Sequence, residues 1–504
     1  MKKPSDDLFR IIKTLSPSEK RYFKVITSQR ESGKASAYHA LFDAIDAQEE
    51  YDEAALQAKN RDGRFTKNLS MAKIYLQESI LKALCTYHAG SADEINIEEK
   101  IKESVLLTNR GLRDIAAKLL KQAGRLADKN ENTIATLRLA RQRLSSQHFR
   151  GDDTIEEELK ELYDRQTECL EILRQETEIS WLHALTHARL NNASLARTEA
   201  DRARIQEILD HEIARRDPES LPTDTLRYML YNIHSRCHMV LGDYQKSYES
   251  ARRCVEIWES TDIGGGSMSY ARLLHNFAVR CLRAAQVEDL QATLEKLKAI
   301  PGNDLTMRKF RFESILTLEL NLLSLQRRFD DAIAMIPVIR EQLDELGPHI
   351  VTNQRMTVVY NLVVACLVCG KFDLSLEFIN EILNDEPFNP DLYNIVKLLG
   401  LVAHVELRHY DILPNVIRST RRFLKKRERM FVVEDVLLRR LAKAGDVTGA
   451  EAEREFFIRL AAELREAAAG SPSARIFEYF DFALWAQCKA QGIRMADHLR
   501  REVV

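Results

Sequence analysis

The residues of this chain that could do chemistry fall into three small groups. Cys366-Leu367-Val368-Cys369 is a CxxC pair. Zinc wants about four ligands, and no second CxxC or Cys/His pair stands at matching spacing. Redox use of such a pair calls for a helix start that follows a strand, whereas this one lies towards the end of an apolar helical stretch, so core thiols are expected. Two HxxxH pairs follow: His183 with His187, and His234 with His238. Spacing i, i+4 places each pair on one helix face. A zinc protease needs Glu directly after the first His, but Ala184 and Ser235 stand there, and interior or groove histidines are expected.

The third group is basic. Between Arg421 and Arg429 six of nine residues are Lys or Arg, and helical spacing lines Arg418, Arg422, Lys425 and Arg429 along one stripe. That stripe suits an anion patch for nucleic acid, an acidic peptide or lipid headgroups; a solvated helix face balanced by nearby acids is the plainer reading. The whole chain carries 74 basic against 76 acidic residues, a net charge of −2, so a protein that coats nucleic acid is not indicated. No Walker loop, GxGxxG, GxSxG or kinase set occurs, and no carboxylate pair is set apart from charged helix surface. A non-catalytic protein without a cofactor or metal is expected.

The elements that must position these residues are helices. Of 504 residues only 11 are Pro and 18 Gly, while 45% are apolar and 30% charged. Good helix formers dominate, and no convincing period-2 strand is present. Ser16-Pro17-Ser18-Glu19 is a capping box with Pro at the first helical position; Ser91 to Glu94 and Thr154 to Glu157 repeat the box. The start Met1-Lys2-Lys3-Pro4 lacks an apolar run, so no signal peptide is expected. The longest apolar stretch, Met356 to Cys369, is too short to span a bilayer and contains Asn361. Eight scattered Cys then fit reduced, buried thiols in a cytoplasmic protein.

A repeat organises the middle of the chain. A helix ends in a short polar or Gly turn, an aromatic or large aliphatic residue opens the next helix, and a small or aliphatic residue follows three positions later. The markers Tyr244, Val287, Phe329, Phe372 and Tyr410 lie 43, 42, 43 and 38 residues apart, with a fainter copy at Gly111-Leu112. A two-helix unit of this length hides its apolar faces only against its neighbours. Phe372 is expected to be buried between units, so that Phe372→Ala would cost about 3–5 kcal/mol.

The unit from Thr357 to Pro387 resembles a tetratricopeptide repeat (TPR): Gly370 and Phe372 match the turn Gly and aromatic, Ser375 the small residue of the second helix, and Pro387 the closing Pro. The unit with Ser235, Tyr244, Ser247, Ala251 and Cys254 resembles it too; in the Phe329 unit Arg327 replaces the turn Gly. The period exceeds the family's 34. The segments Ser16 to Lys24 and Tyr38 to Ile45 also look like the start of a group of uncharacterised bacterial TPR-like proteins. The resemblance implies an all-α, right-handed solenoid of antiparallel helix pairs. A helical N-terminal module (1–97) would precede the array (98–440), and capping helices (441–504) would follow it.

In such arrays the first helix of each pair lines a concave groove. Residue by residue, that transfer implies Asn232, Arg236, His275, Arg283, Asn321 and Tyr360 as candidates to bind a peptide's backbone or acidic groups. Other transferred positions include Met229, Val240, Arg272, Ser314, Thr317 and Leu367. The full Lys/Asn/Arg clamp for a terminal carboxylate is not present. The expected function is a scaffold for a protein or peptide partner, without membrane insertion; the alternative is a nucleic-acid-binding or regulatory solenoid using the stripe at 418–429. The aromatics from Phe456 to Trp485 suit either helices that close the last open face or a homodimer interface.

Overall fold

In the computed structural model, residues 6–28, 34–59, 68–88, 93–146, 155–190, 196–261, 266–302, 305–346, 352–384 and 390–501 are described. The N-terminal residues 1–5, the putting-together of the boxes at Ser91 and Thr154, and Pro387 lie outside them. Every described element is helical, and no strand occurs among the described residues.

The chain divides into two compact units, residues 1–173 and 174–504. The boundary between them falls inside a helix. The first unit holds α1 (Asp7–Thr14), α2 (Pro17–Ser28), α3 (Lys34–Asp46), α4 (Glu53–Lys59), α5 (Leu69–His88), α6 (Asp93–Asn109), α7 (Arg113–Lys129), α8 (Thr133–Ser146) and the first half of α9 (Ile155–Leu190). The capping box that opens α2 forms as its sequence demands: the Glu19 amide donates to Ser16 Oγ (3.3 Å), and the Ser16 amide to Glu19 Oε2 (2.7 Å). Leu8, Ile12, Phe23, Leu41, Phe42, Leu76 and Ile80 form one core, and Ile97, Ile101, Leu120 and Ala123 a second.

The second unit continues from α9 with α10 (Glu199–Leu209), α11 (Asp224–Leu241), α12 (Tyr244–Ser260), α13 (Ser267–Arg283) and α14 (Val287–Ala299). Next, α15 (Leu305–Phe310) runs through a π-helical turn (Arg311–Ile315) into α16 (Leu316–Leu325), followed by α17 (Phe329–Ala334) and α18 (Ile336–Leu346). Then come α19 (Thr352–Val368), α20 (Phe372–Asn384), α21 (Pro390–Glu406), α22 (Leu413–Lys426), α23 (Val432–Leu441), α24 (Ala450–Ala468), α25 (Phe482–Gln491) and α26 (Met495–Arg501). A 3-10 segment, Pro472–Glu478, links α24 to α25. Helices pack in neighbouring pairs: α11 on α12, α13 on α14, α16 on α17, α19 on α20, α21 on α22. The first helices of consecutive pairs also touch, α13 with α16, α16 with α19 and α19 with α21.

The turn inside each pair has one geometry. Gly242, Ala285, Arg327, Gly370 and Arg408 all take left-handed backbone, with φ of 90°, 55°, 61°, 74° and 57°. The next amide bonds back to the carbonyl five residues earlier: Asp243 to His238, Gln286 to Cys281, Arg328 to Leu323, Lys371 to Cys366 and His409 to His404, all at 2.8–2.9 Å. This Schellman closure satisfies carbonyls that a helix end leaves open. Gly111 in the first unit closes the same way, with φ of 80°. The turn therefore survives where the sequence lacks Gly; Arg327 adopts the conformation that glycine would take without strain.

The position three residues after each marker is buried: Ser247, Leu290, Ala332 and Ser375 are fully enclosed and Leu413 is nearly so. The two serines are tied to their partner helix by the same bond, Ser247 Oγ to the Ser235 carbonyl (2.7 Å) and Ser375 Oγ to the Val363 carbonyl (3.3 Å). Phe372 departs from expectation. It is only half-buried, while Phe378, two turns along the same helix, is 1% exposed and is the phenylalanine that fills that pair. The full cost expected for a buried Phe belongs to Phe378.

The C-terminal residues do more than close the last pair. Phe457, Phe480, Phe482 and Trp485 are buried in a core shared with residues from Phe312 onward, so these aromatics find their cover within the chain itself. From there the chain runs along the turns of the earlier pairs. Arg475 meets the α11–α12 turn, Arg500 the turn at Arg327, Arg494 the turn at Gly370, and Trp485 and Lys489 both reach Glu406 (2.6 and 2.8 Å). Gly242 is required here twice over, by its φ and because a Cβ would meet the Arg475 guanidinium at 3.2 Å.

Candidate functional site: the inner helices of the first three pairs

Helices α11, α13 and α16 carry polar residues at matching positions before their turns. Ten residues before the left-handed position stand Asn232, His275, Thr317 and, on α19, Tyr360; six residues before it stand Arg236, Val279, Asn321 and Val364. The π turn at Arg311–Ile315 leads into α16 two residues before Thr317.

Each polar group has its own surroundings. His183 Nε2 on α9 donates to Asn232 Oδ1 (3.2 Å), with the His187 ring edge-on at 4.7 Å. Burial holds the His183 pKa below the ordinary value, and His187 and Arg236 push it the same way. On α13, the Arg280 Nε–H donates to Ser235 Oγ across the pair boundary (3.3 Å), and Nη1 donates to the Asn276 carbonyl (3.1 Å). Burial lowers the Arg280 pKa to about 10, with the positive charge of Arg236 adding to the effect. Burial lowers Arg236 as well. His275 lies edge-on to Phe310 at 6.2 Å; burial, then Arg280, pushes it down to about 4. Asn321 donates to the Thr317 carbonyl of its own helix (2.8 Å).

Among the described residues, three buried side-chain atoms on these helices have no hydrogen-bond partner: Arg236 Nε, His275 Nδ1 and Thr317 Oγ1. They lie on the first helices of three successive pairs. A buried polar atom left alone costs about 1–3 kcal/mol, so native chains keep few of them.

Two of the six residues expected in the groove are engaged by the chain's own C-terminal segment. Arg283 Nη1 donates to Glu478 Oε2 (3.4 Å), and the Tyr360 hydroxyl donates to the Tyr479 carbonyl (2.8 Å). Glu478 also accepts from Tyr244 and from Arg475 Nε (2.9 Å), and Arg475 donates onward to the Val240 carbonyl. Burial opposes the charge of Arg475, but the bonds to Glu478 and Tyr244 outweigh it and raise its pKa. Asn232, Arg236, His275 and Asn321 remain on the inner helices. Of the other transferred positions, Val240, Ser314 and Leu367 fall in the interior and Arg272 is exposed. Arg280 escaped the sequence reading because the repeat register puts Val279 level with Arg236; the residue one step later belongs to the face that meets the preceding pair.

The remaining sequence candidates are placed as follows. Cys366 and Cys369 sit in the core, and burial pushes their thiols up to about 12 and about 11. Seven of the eight Cys are buried; Cys85 is exposed, unlike the expectation. His234 bonds the Ala214 carbonyl (2.7 Å) and His238 meets Asp243 (3.3 Å). No group of three or more His, Cys, Asp or Glu that could hold a metal forms among the described residues. On the basic stripe, Arg418, Arg422 and Lys425 are exposed and Arg429 half-buried. Neighbouring Arg421 pairs with Asp435 (3.2 Å), and Arg427 stacks on Phe423 (4.6 Å).

The described residues form an all-helical chain that packs in neighbouring helix pairs, with polar residues recurring on the first helices of successive pairs. Compared with family models and with curated proteins, the sequence matches none. Among the described residues no helix is long and apolar enough to cross a membrane.

Proposed function

We propose that the second unit is a right-handed, TPR-like solenoid that acts as a non-catalytic scaffold and holds an extended polypeptide segment along its inner helices. One observation carries this reading: the first helices of consecutive pairs present polar side chains ten residues before the turn, two of these, His275 and Thr317, retain buried polar atoms that the chain does not satisfy, and Arg236, one turn further on, retains a third. A peptide backbone supplies donors and acceptors at regular intervals and suits such a row. Peptide display against the full chain tests it. Selected peptides should lose most of their binding in the His275→Ala, Asn321→Ala double variant. Binding that is indifferent to both substitutions overturns the reading.

A second reading has its own support. Arg418, Arg422 and Lys425 are exposed on one helix, and none is paired with a carboxylate among the described residues. We propose nucleic-acid binding there as the alternative. Binding should then fall steeply with salt and weaken when the three are changed to Gln; salt-insensitive binding would exclude it.

A further inference from the structure

Helix α5 is apolar on two faces, and the chain covers one of them. Ala72, Leu76, Ile80 and Ala83 are buried in the first core, where α5 packs on α1, α2 and α3. The opposite face carries Met71, Ile74, Tyr75 and Leu81, each 45–61% exposed. Glu78, Lys82 and Cys85 are exposed on that same face, and Cys85 is the only exposed cysteine of the eight. No other described helix bares as many large apolar side chains; the exposed ones of the second unit stand singly along the chain. A helix that is apolar all round belongs in a buried place. Spacing adds a second observation. Met71, Ile74, Glu78, Leu81 and Cys85 follow one another at steps of three, four, three and four residues, the seam by which two helices interlock. Tyr75 lies beside the seam and rests on the Tyr38 ring at 4.6 Å.

Charge says what covers this face. Glu78 in the middle of the seam and Lys82 one helical turn on make no ion pair among the described residues, whereas Lys73 on the flank of the same helix is tied to Glu53 (2.6 Å). A face with one acid and one base side by side is complementary to itself when turned end for end. Antiparallel pairing of two copies of α5 sets Glu78 of each against Leu81 and Lys82 of the other, and Ile74 against Cys85. Parallel pairing presses the two Glu78 carboxylates together and is disfavoured. The area fits as well. Four half-exposed large side chains leave on the order of 400 Å² of apolar surface, a size at which surface patches mark interaction sites. With Glu78, Lys82 and Cys85 included, two such faces remove roughly 1,000 Å² from water, the threshold for a specific complex. We infer that the chain forms a two-fold dimer through the outer face of α5, the second copy laying its own α5 antiparallel along Met71, Ile74, Glu78, Leu81 and Cys85. The dimer belongs to the first unit and stands or falls separately from peptide binding by the second.

The test uses the full chain with its cysteines reduced. Sedimentation equilibrium should show a dimer that dissociates in the micromolar range. Every substituted position is exposed, so the variants should fold, which circular dichroism checks. Ile74→Glu with Leu81→Glu should give a monomer. Glu78→Lys should weaken the dimer at least about tenfold, because it sets lysine against Lys82 twice over across the two-fold axis. Lys82→Glu should do the same, and the two exchanges together should restore the wild-type affinity. A chain that stays monomeric up to about 100 μM overturns the dimer. A dimer untouched by Ile74→Glu with Leu81→Glu overturns the α5 face as its seat. Failure of the double exchange to restore what each single exchange loses overturns the charge complementarity that selects a second copy.

A cross-link reads the direction. Under mild oxidation of the Ile74→Cys variant, the introduced thiol should join Cys85 of the other copy, which lies at the same level in an antiparallel pair. Within one chain the two positions are eleven residues apart, about 16 Å along the helix, and cannot join each other. The covalent dimer should disappear when Cys85→Ser is added. A covalent dimer joined from Cys85 to Cys85 instead overturns the antiparallel pairing. A chain that remains monomeric yet binds vesicles of anionic lipid, or a different protein, through Met71, Ile74 and Leu81 overturns the second copy as the occupant of the face.

Discussion

Arginines on and around α11 and α13 stand in two settings, and the two settings behave differently. Near the turns, Arg283 and Arg475 converge on Glu478, and Tyr244 joins them. One or two helical turns back, Arg280 bonds only neutral oxygens and the buried Nε of Arg236 has no partner among the described residues. The first cluster is knitted by the chain's own C-terminal segment and serves the fold. The second is left without an acid partner, which costs stability. The lesson is that charge alone does not identify a binding site; charge that the chain declines to pair does.

This contrast breaks if the paired cluster proves dispensable. Arg475→Ala leaves Glu478 and the Val240 carbonyl without their donor in a largely enclosed place. Unfolding free energy should fall by about 3–5 kcal/mol, read from the urea midpoint. A loss no greater than that of an exposed ion pair would remove the structural role assigned to the C-terminal segment.

The next test is pH. The folded pKa of His275, about 4, lies below its ordinary value of 6.5, so the folded state binds fewer protons than the unfolded one in between. Its stability is fully present above the ordinary value and is lost as pH falls towards the folded value. At about pH 5 the loss from this group should be about 2 kcal/mol. His275→Gln should reduce the slope of stability against pH without abolishing it, because burial also depresses His183, His234, His238 and His404. An unchanged slope would show that His275 is not enclosed beside Arg280.

The unpaired cluster predicts a smaller change of opposite sign. Without ligand, Arg236→Gln should raise stability by about 1 kcal/mol, since it removes a buried, unpartnered donor and a repulsion. A loss instead would place Arg236 with the structural arginines and erase the contrast. The smallest effect concerns the turns. Ala285 holds φ of 55° with an exposed side chain, so Ala285→Gly should gain about 0.5 kcal/mol as left-handed strain is relieved against added chain entropy. Thermal denaturation of the pair resolves it, and a loss would mean that the turn is unstrained.

Much of the fold could be read from residues alone because its rules are local. Helix periodicity, the box at Ser16, and the spacing of Tyr244, Val287, Phe329, Phe372 and Tyr410 need only neighbours in the chain, and the structure places a Schellman turn before each marker. The small or aliphatic residue three positions on had to be buried, because two helices joined by so short a turn pack on each other there. The TPR resemblance, transferred residue by residue, then brought Asn232, Arg236, His275 and Asn321 into view.

Partnership across long separations could not be read that way. Glu478 lies 195 residues from Arg283, and Arg475 lies 235 from Val240. Tyr479 lies 119 from Tyr360. Nothing in the repeat predicts that the C-terminal segment returns to the turns, so neither the covering of Arg283 and Tyr360 nor the isolation of Arg236 and Arg280 follows from spacing. Residue type and period determined which side chains could meet a ligand; the tertiary structure decided which of them the chain had already satisfied, because the balance between desolvation and pairing is struck only where distant segments come together.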